Sequence, residues 1–236
     1  MTSPLFIIPG WSVGTGPLQS TAAALSAGLR NLPGYGDSPL IEDFDAAADA
    51  LAASVPAGST LLGWSLGGTL ALAAAARHPG HFASIITTGS TACFVQREGW
   101  PHAERPEDLA AFTAAVQADA PAMLPRFVGN FNRGDRHAKT LTRTILQEIG
   151  PLAPQATLEA GLRWLASFDI RALLPTITCP VLLIVGDSDP LVPMAAAEAM
   201  AAALPHGRLA VLPGCAHAPF LSDPEGFAAL VKGFIA

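Results

Sequence analysis

The sequence predicts an α/β protein: a mostly parallel sheet flanked by helices, with a helical block inserted between two strand-rich parts. Three observations lead there. Short apolar runs alternate with helical stretches up to about residue 88 and again after about residue 180, the pattern of βαβ units. Between about Phe94 and Phe168 strand-like runs vanish and helical segments follow one another. Half of the 236 residues are hydrophobic and only 14% are charged, enough for one domain with a full core and far from the composition of disorder.

The elements follow in order. The start Met1-Thr2-Ser3-Pro4 lacks the basic residues of a secretory signal, so Leu5–Ile8 reads as the first core strand of a cytoplasmic protein. Leu18–Leu29 reads as a small-residue helix and Phe44–Ser54 as a second. Ser59–Gly63 is a strand, Leu66–Arg77 a helix and Ala83–Thr88 a strand. Pro106–Ala118, Pro121–Phe131, Arg136–Ile149 and Pro154–Ser167 form a helical lid. Strand Val181–Val185, helix Met194–Leu204, strand Arg208–Leu212 and helix Pro224–Ile235 complete the chain. The expected organisation is a core of 1–93 plus 169–236, with a lid at 94–168.

Composition excludes several function classes. The longest apolar stretch, Leu61–Ala76, is interrupted by Gly63, Ser65, Gly67 and Gly68, so no membrane span is expected. Cys93, Cys179 and Cys215 are odd in number and widely spaced, and read as small core residues instead of a disulfide framework or zinc site. No metal and no cofactor are called for, and a monomer is expected. The net charge of −6 argues against a nucleic-acid partner. That charge is uneven, because the window Arg126–Arg143 is +4 and the remainder −10.

The stretch Gly63-Trp64-Ser65-Leu66-Gly67 places G-x-S-x-G between a predicted strand and a predicted helix. That context is the nucleophile elbow of the α/β-hydrolase fold, where near-absent side chains two before and two after the serine permit a very tight turn. A serine hydroxyl needs a base steadied by a carboxylate, and in this fold the chain order is Ser, acid, His. Of six histidines only His217 lies on a loop between a late strand and the terminal helix. The strand Val181–Val185 is followed by Asp187 and Asp189, both carboxylates in reach of the acid's role. The strand-G-x-x-D spacing selects Asp189, leaving Asp187 for turn hydrogen bonds. The oxyanion donors are expected at the Leu66 N–H and, on the loop after the first strand, at the Trp11 N–H. The competing reading of Trp11 is a plain packed aromatic.

Several stretches taken together carry a resemblance. They are Pro9-Gly10-Trp11, Pro33-Gly34-Tyr35-Gly36-Asp37-Ser38, Gly63-Trp64-Ser65-Leu66-Gly67-Gly68, Asp189-Pro190-Leu191-Val192-Pro193 and Ala216-His217-Ala218-Pro219-Phe220. With Cys93-Phe94, Trp100-Pro101 and Asp223-Pro224-Glu225, they resemble the pimeloyl-carrier-protein methyl ester esterases of biotin synthesis along almost the whole chain. The resemblance implies hydrolysis of the methyl ester on a pimeloyl chain carried by acyl carrier protein, with Ser65, Asp189 and His217 as the triad. It implies substrate contacts at Trp11, Ser65, Leu66 and His217 and on the lid stretch Phe127, Val128, Gly129, Asn130 and Phe131. It also implies docking of the acidic carrier on Arg126, Lys139 and Arg143.

Charge spacing points the same way: Arg136, Lys139 and Arg143 recur at i, i+3 and i+7, a basic stripe suited to an acidic partner, although a merely solvated helix face has the same spacing. The sequence departs from the family in lacking its N-terminal strand hairpin, in Pro9 where a histidine is common, and in Phe131 where close relatives carry an amide. Fold and triad also suit a small-molecule carboxylesterase, a lactonase or a C–C hydrolase, and a hydrolase-fold scaffold without catalysis would show a broken triad.

Overall fold

The computed structural model describes residues 3–236. Six parallel strands form one sheet in the order β2-β1-β3-β4-β5-β6. They are β1 (Leu5–Ile8), β2 (Gly28–Leu29), β3 (Ser59–Trp64), β4 (Phe82–Thr88), β5 (Val181–Gly186) and β6 (Gly207–Leu212). Every residue of β3 and of β5 is buried. Parallel strands covered on both faces read as unbroken apolar runs, which Val-Leu-Leu-Ile-Val in β5 illustrates. The edges are a two-residue β2 and a half-exposed β6, short or interrupted surfaces that discourage further pairing.

The helices are α1 (Gln19–Leu25), α2 (Phe44–Ala53), α3 (Leu66–Arg77), α4 (Pro106–Phe131), α5 (Ala138–Glu148), α6 (Gln155–Ser167), α7 (Met194–Ala203), α8 (Pro219–Ser222) and α9 (Pro224–Ile235). Local chemistry sets their starts: Asp43 caps α2 by accepting from the Ala46 N–H, and Asp223 caps α9 by accepting from the Gly226 N–H. The helix expected over Leu18–Leu29 stops at Leu25. Ser26 turns left-handed at φ 52°, the Ala27 N–H returns to the Ala22 carbonyl, and Gly28–Leu29 then pairs with β1. A two-residue strand is too short to carry a periodic signal.

All six strands lie outside the segment 94–168, which contributes α4, α5 and α6. The α4 helix breaks at Asp119 (φ −157°, ψ 79°), whose carboxylate caps the resumed helix through the Ala122 N–H. The two ends of the insert meet, because Cys93 bridges Asp169 and the Ile170 N–H donates to the Ala92 carbonyl. Among the described residues, no helix is long and apolar enough to cross a membrane.

The strand order positions the site. The chain leaves β1 toward β2 and returns on the other side as β3, so the carboxyl ends of β1 and β3 flank a switch point, where open α/β sheets bind ligands. The loop after β1 is held there by Tyr35, the chain's single tyrosine, whose buried hydroxyl accepts from the Ser12 N–H at 2.8 Å. That bond keeps Ser12 at φ 68°, a conformation costly for a residue with a side chain. Burial pushes the Tyr35 phenol up to about 12, with the Ser12 bond acting in the opposite direction.

Because the folded value exceeds the unfolded one, Tyr35's contribution is complete below about pH 10 and is lost as pH rises toward 12. Ultraviolet titration of the folded protein is expected to show phenolate forming near pH 12, and a midpoint near 10 would contradict this packing. Tyr35→Phe leaves the Ser12 N–H without an acceptor and is expected to cost about 1–3 kcal/mol in chemical denaturation.

Candidate active site

Ser65 sits between β3 and α3 at φ 54° and ψ −122°, outside the regions that side chains ordinarily allow. The strain persists because the turn is pinned at both ends: the Ser65 N–H donates to the Thr88 carbonyl, and the Ser90 hydroxyl donates to the Ser65 carbonyl, each at 2.8 Å. The two flanking glycines are required sterically. A Cβ on Gly63 would strike the backbone of Gly67 and Gly68, and one on Gly67 would strike the Pro9 carbonyl of the neighbouring loop.

Asp189 and His217 lie on the loops that follow β5 and β6, and these adjacent strands pair in register from Val181↔Gly207 to Gly186↔Leu212. The His217 Nδ1 lies 2.8 Å from Asp189 Oδ2, with both side chains buried. Asp189 Oδ1 accepts from the N–H groups of Leu191 and Val192 at 2.8 and 3.1 Å, so the carboxylate is fully engaged. An ionised carboxylate at Nδ1 requires the proton on that nitrogen and leaves Nε2 as the lone-pair nitrogen. His217 Nε2 is buried and makes no hydrogen bond among the described residues. The His217 residue borders, with Ser65, Gly10 and Trp11, a crevice of about 10 Å³. Catalytic bonds of this kind commonly tighten only around substrate.

The main chain of His217 is held on both sides: its carbonyl accepts from the Trp64 indole at 2.9 Å, and its N–H donates to the Phe131 carbonyl at 3.3 Å. Asp187 accepts from the Gly214 N–H at 2.8 Å, which ties the acid loop to the histidine loop.

Two main-chain N–H groups belong to segments that adjoin Ser65, the start of α3 and the loop after β1. The Leu66 N–H is the first of α3, a position without an intrahelical acceptor. Among the described residues the Trp11 N–H makes no hydrogen bond, whereas the neighbouring Ser12 N–H is consumed by Tyr35. Gly10 brings this loop close, since a Cβ there would stand 3.1 Å from Ser65 Cβ. The Trp11 indole donates to the Leu158 carbonyl of α6 at 2.9 Å and packs edge-on against Phe112 and Phe127 of α4.

Above Ser65 lies a cavity of about 310 Å³, at the small end of the range for small-molecule sites. Trp11, Phe112, Met123, Phe127, Leu162 and Leu191 give it an apolar wall. Of the stretch 127–131, Phe127 and Asn130 line this cavity. Val128 is buried in the core, and Phe131 packs its ring on Trp64 and His217 and borders the crevice.

Arg126 reaches the cavity rim, and Lys139 and Arg143 are exposed on α5 without an ion pair among the described residues. Arg136 differs from the expectation. It precedes α5, pairs with Asp223 at 3.7 Å and lies against Cys215 Sγ, so it is not part of the stripe on that helix.

Sequence reasoning missed Leu158 and Gly161, which seat Trp11: a Cβ on Gly161 would collide with the indole. A glycine inside an otherwise strong helix is the signal that marked it. It also missed Glu104 and Asp108 on the cavity wall. Burial, reinforced by Asp108, raises the Glu104 carboxyl above its ordinary range.

A model described as the alpha/beta hydrolase family matches residues 5–230. The pimeloyl-[acyl-carrier protein] methyl ester esterase of Aromatoleum aromaticum is 37% identical across 98% of this chain and 97% of its own length. The protein of the same name from Aeromonas hydrophila is 34% identical across 98% of this chain and 94% of its own. Among solved structures, an esterase from Exiguobacterium antarcticum superposes with a TM-score of 0.85 at 24% identity, covering 100% of this chain and 93% of its own. Matched in this way along nearly its full length, the chain belongs to the alpha/beta hydrolase family.

Proposed function

We propose that this chain is a serine carboxylesterase that cleaves the methyl ester of pimeloyl-acyl carrier protein, the substrate for which its relatives are named. The observation that carries the reaction type is the buried Asp189–His217 bond in the same crevice as a strained Ser65, with the Trp11 and Leu66 N–H groups unengaged among the described residues. The relatives' name and full-length coverage support the substrate.

In this reading Ser65 Oγ attacks the ester carbonyl while His217 Nε2 takes its proton, and the Asp189 carboxylate stabilises the imidazolium that forms. The Trp11 and Leu66 N–H groups receive the negative charge on the carbonyl oxygen. Collapse of the tetrahedral adduct breaks the C–O bond to methoxide, which leaves as methanol with the proton from His217. Water, deprotonated by His217, then attacks the acyl-serine and releases the carboxylate and Ser65. The apolar cavity holds the acyl chain under the lid. Arg126, Lys139 and Arg143 attract the acidic carrier by long-range field as well as contact. The protein acts as a cytoplasmic monomer, in keeping with a surface where Leu40 and Val211 are the large exposed apolar side chains among the described residues.

Three measurements test this. Ser65→Ala is expected to abolish fluorophosphonate labelling and lower kcat by about 10⁴-fold or more, and retention of either would end the triad reading. Lys139→Glu with Arg143→Glu is expected to lower kcat/KM for the carrier-bound ester by about tenfold or more and to leave p-nitrophenyl acetate unaffected. Equal effects on both substrates would point to a small-molecule ester or lactone instead. Gly161→Leu is expected to displace Trp11 and shift acyl preference toward shorter chains, read as kcat/KM across p-nitrophenyl esters of increasing length.

A further inference from the structure

Asp135 is the single acid in the basic window of the insert, and its side chain is buried. Its Oδ1 accepts from the His137 N–H at 2.7 Å and from the Ser222 hydroxyl at 2.9 Å, while Oδ2 accepts from the Ala216 N–H at 2.8 Å. No cation pairs with it among the described residues. A carboxylate buried without a cation is costly, and here hydrogen-bond donors alone compensate for the lost water. The His137 bond is an ordinary local turn contact. The other two reach residues 81 and 87 positions away, on the histidine loop and on α8 just beyond it.

Two neighbouring bonds run the same way: the Arg136 N–H donates to the Gly214 carbonyl at 3.0 Å, and the His217 N–H donates to the Phe131 carbonyl at 3.3 Å. One turn of the insert, residues 131–136, therefore grips the histidine loop at Gly214, Ala216 and His217. Asp189 is the imidazole's single hydrogen-bond partner among the described residues, and a ring so held still moves with the backbone that carries it. The Ala216–His217 peptide sets that pivot.

We propose that Asp135 is a positioning residue for the base: by holding the Ala216 N–H it fixes the backbone from which the His217 ring reaches Ser65. This rests on the reading of His217 as the base. The chemistry of the three donors makes the test selective. In Asp135→Asn the amide keeps one oxygen, best placed at the site of Oδ1 with its two donors, and turns its NH₂ toward the Ala216 N–H, donor against donor. Ser222→Ala removes one donor from Oδ1 and leaves the Ala216 bond in place.

The experiment measures kcat and KM on p-nitrophenyl acetate, with active sites counted by complete fluorophosphonate labelling so that a misfolded fraction does not enter kcat. Asp135→Asn is expected to lower kcat per labelled site by between about ten- and a hundredfold with KM little changed, as a displaced catalytic group does. Ser222→Ala is expected to stay within about twofold of the parent. Full kcat per site in Asp135→Asn, or an equal loss in Ser222→Ala, would overturn the assignment. Should Asp135→Asn fail to fold, amide hydrogen exchange in the unaltered protein decides: slow exchange at Ala216 supports the clamp, and exchange as fast as at exposed loop amides refutes it. A parent protein that neither labels at Ser65 nor turns over would sink the esterase reading itself, an outcome distinct from both.

Discussion

The bond between the Asp189 carboxylate and the His217 imidazole depends on two loops keeping a fixed separation, and the sheet supplies that separation. Parallel neighbours β5 and β6 run in register to their last residues, so the loops that follow them emerge side by side. Asp187 and the backbone then stitch the loops together, through the Gly214 N–H and through the Ser188 N–H donating to the Cys215 carbonyl. Both side chains of the pair are shielded from solvent, so small errors in strand register would appear directly as a lost hydrogen bond. The same logic applies to Ser65, whose strained backbone persists because β4 and the Pro9–Ser12 loop confine it from two sides.

Much of this was legible in the sequence where a residue's role is encoded by its immediate neighbours. The elbow needs glycine at 63 and 67 for steric reasons that hold in any protein, and strand-loop-helix context separates His217 from the other histidines. Positions whose roles depend on distant partners were not legible. Tyr35 reads as one aromatic in a glycine-rich turn until its hydroxyl is seen on Ser12. In the sequence Asp135 is one negative charge among the five positive ones of its window. Phe131 and Asn130 are adjacent, and a helical turn that aims one at the cavity aims the other at the core.

The basic window shows how charge counting and structure diverge. Spacing placed Arg136 with Lys139 and Arg143, but the helix begins at Ala138, after the turn that grips the histidine loop. Arg136 lies in that turn and pairs with Asp223, the cap of α9, so its exposed charge is already engaged by a carboxylate. A local charge excess is a reliable statement about field and a weak one about which side chains are free to meet a partner.

The two ends of the segment 94–168 are joined across the bridge between Cys93 and Asp169, beside the Ala92–Ile170 bond. From the sheet's side, the 75 or so intervening residues behave as one long surface excursion, and loop-closure entropy grows only slowly with length. Evolution can therefore exchange the roof of the reaction chamber without disturbing its floor. The freedom is bounded at one turn, because any replacement must still deliver a carboxylate, or an equivalent acceptor, to the amide beside the histidine.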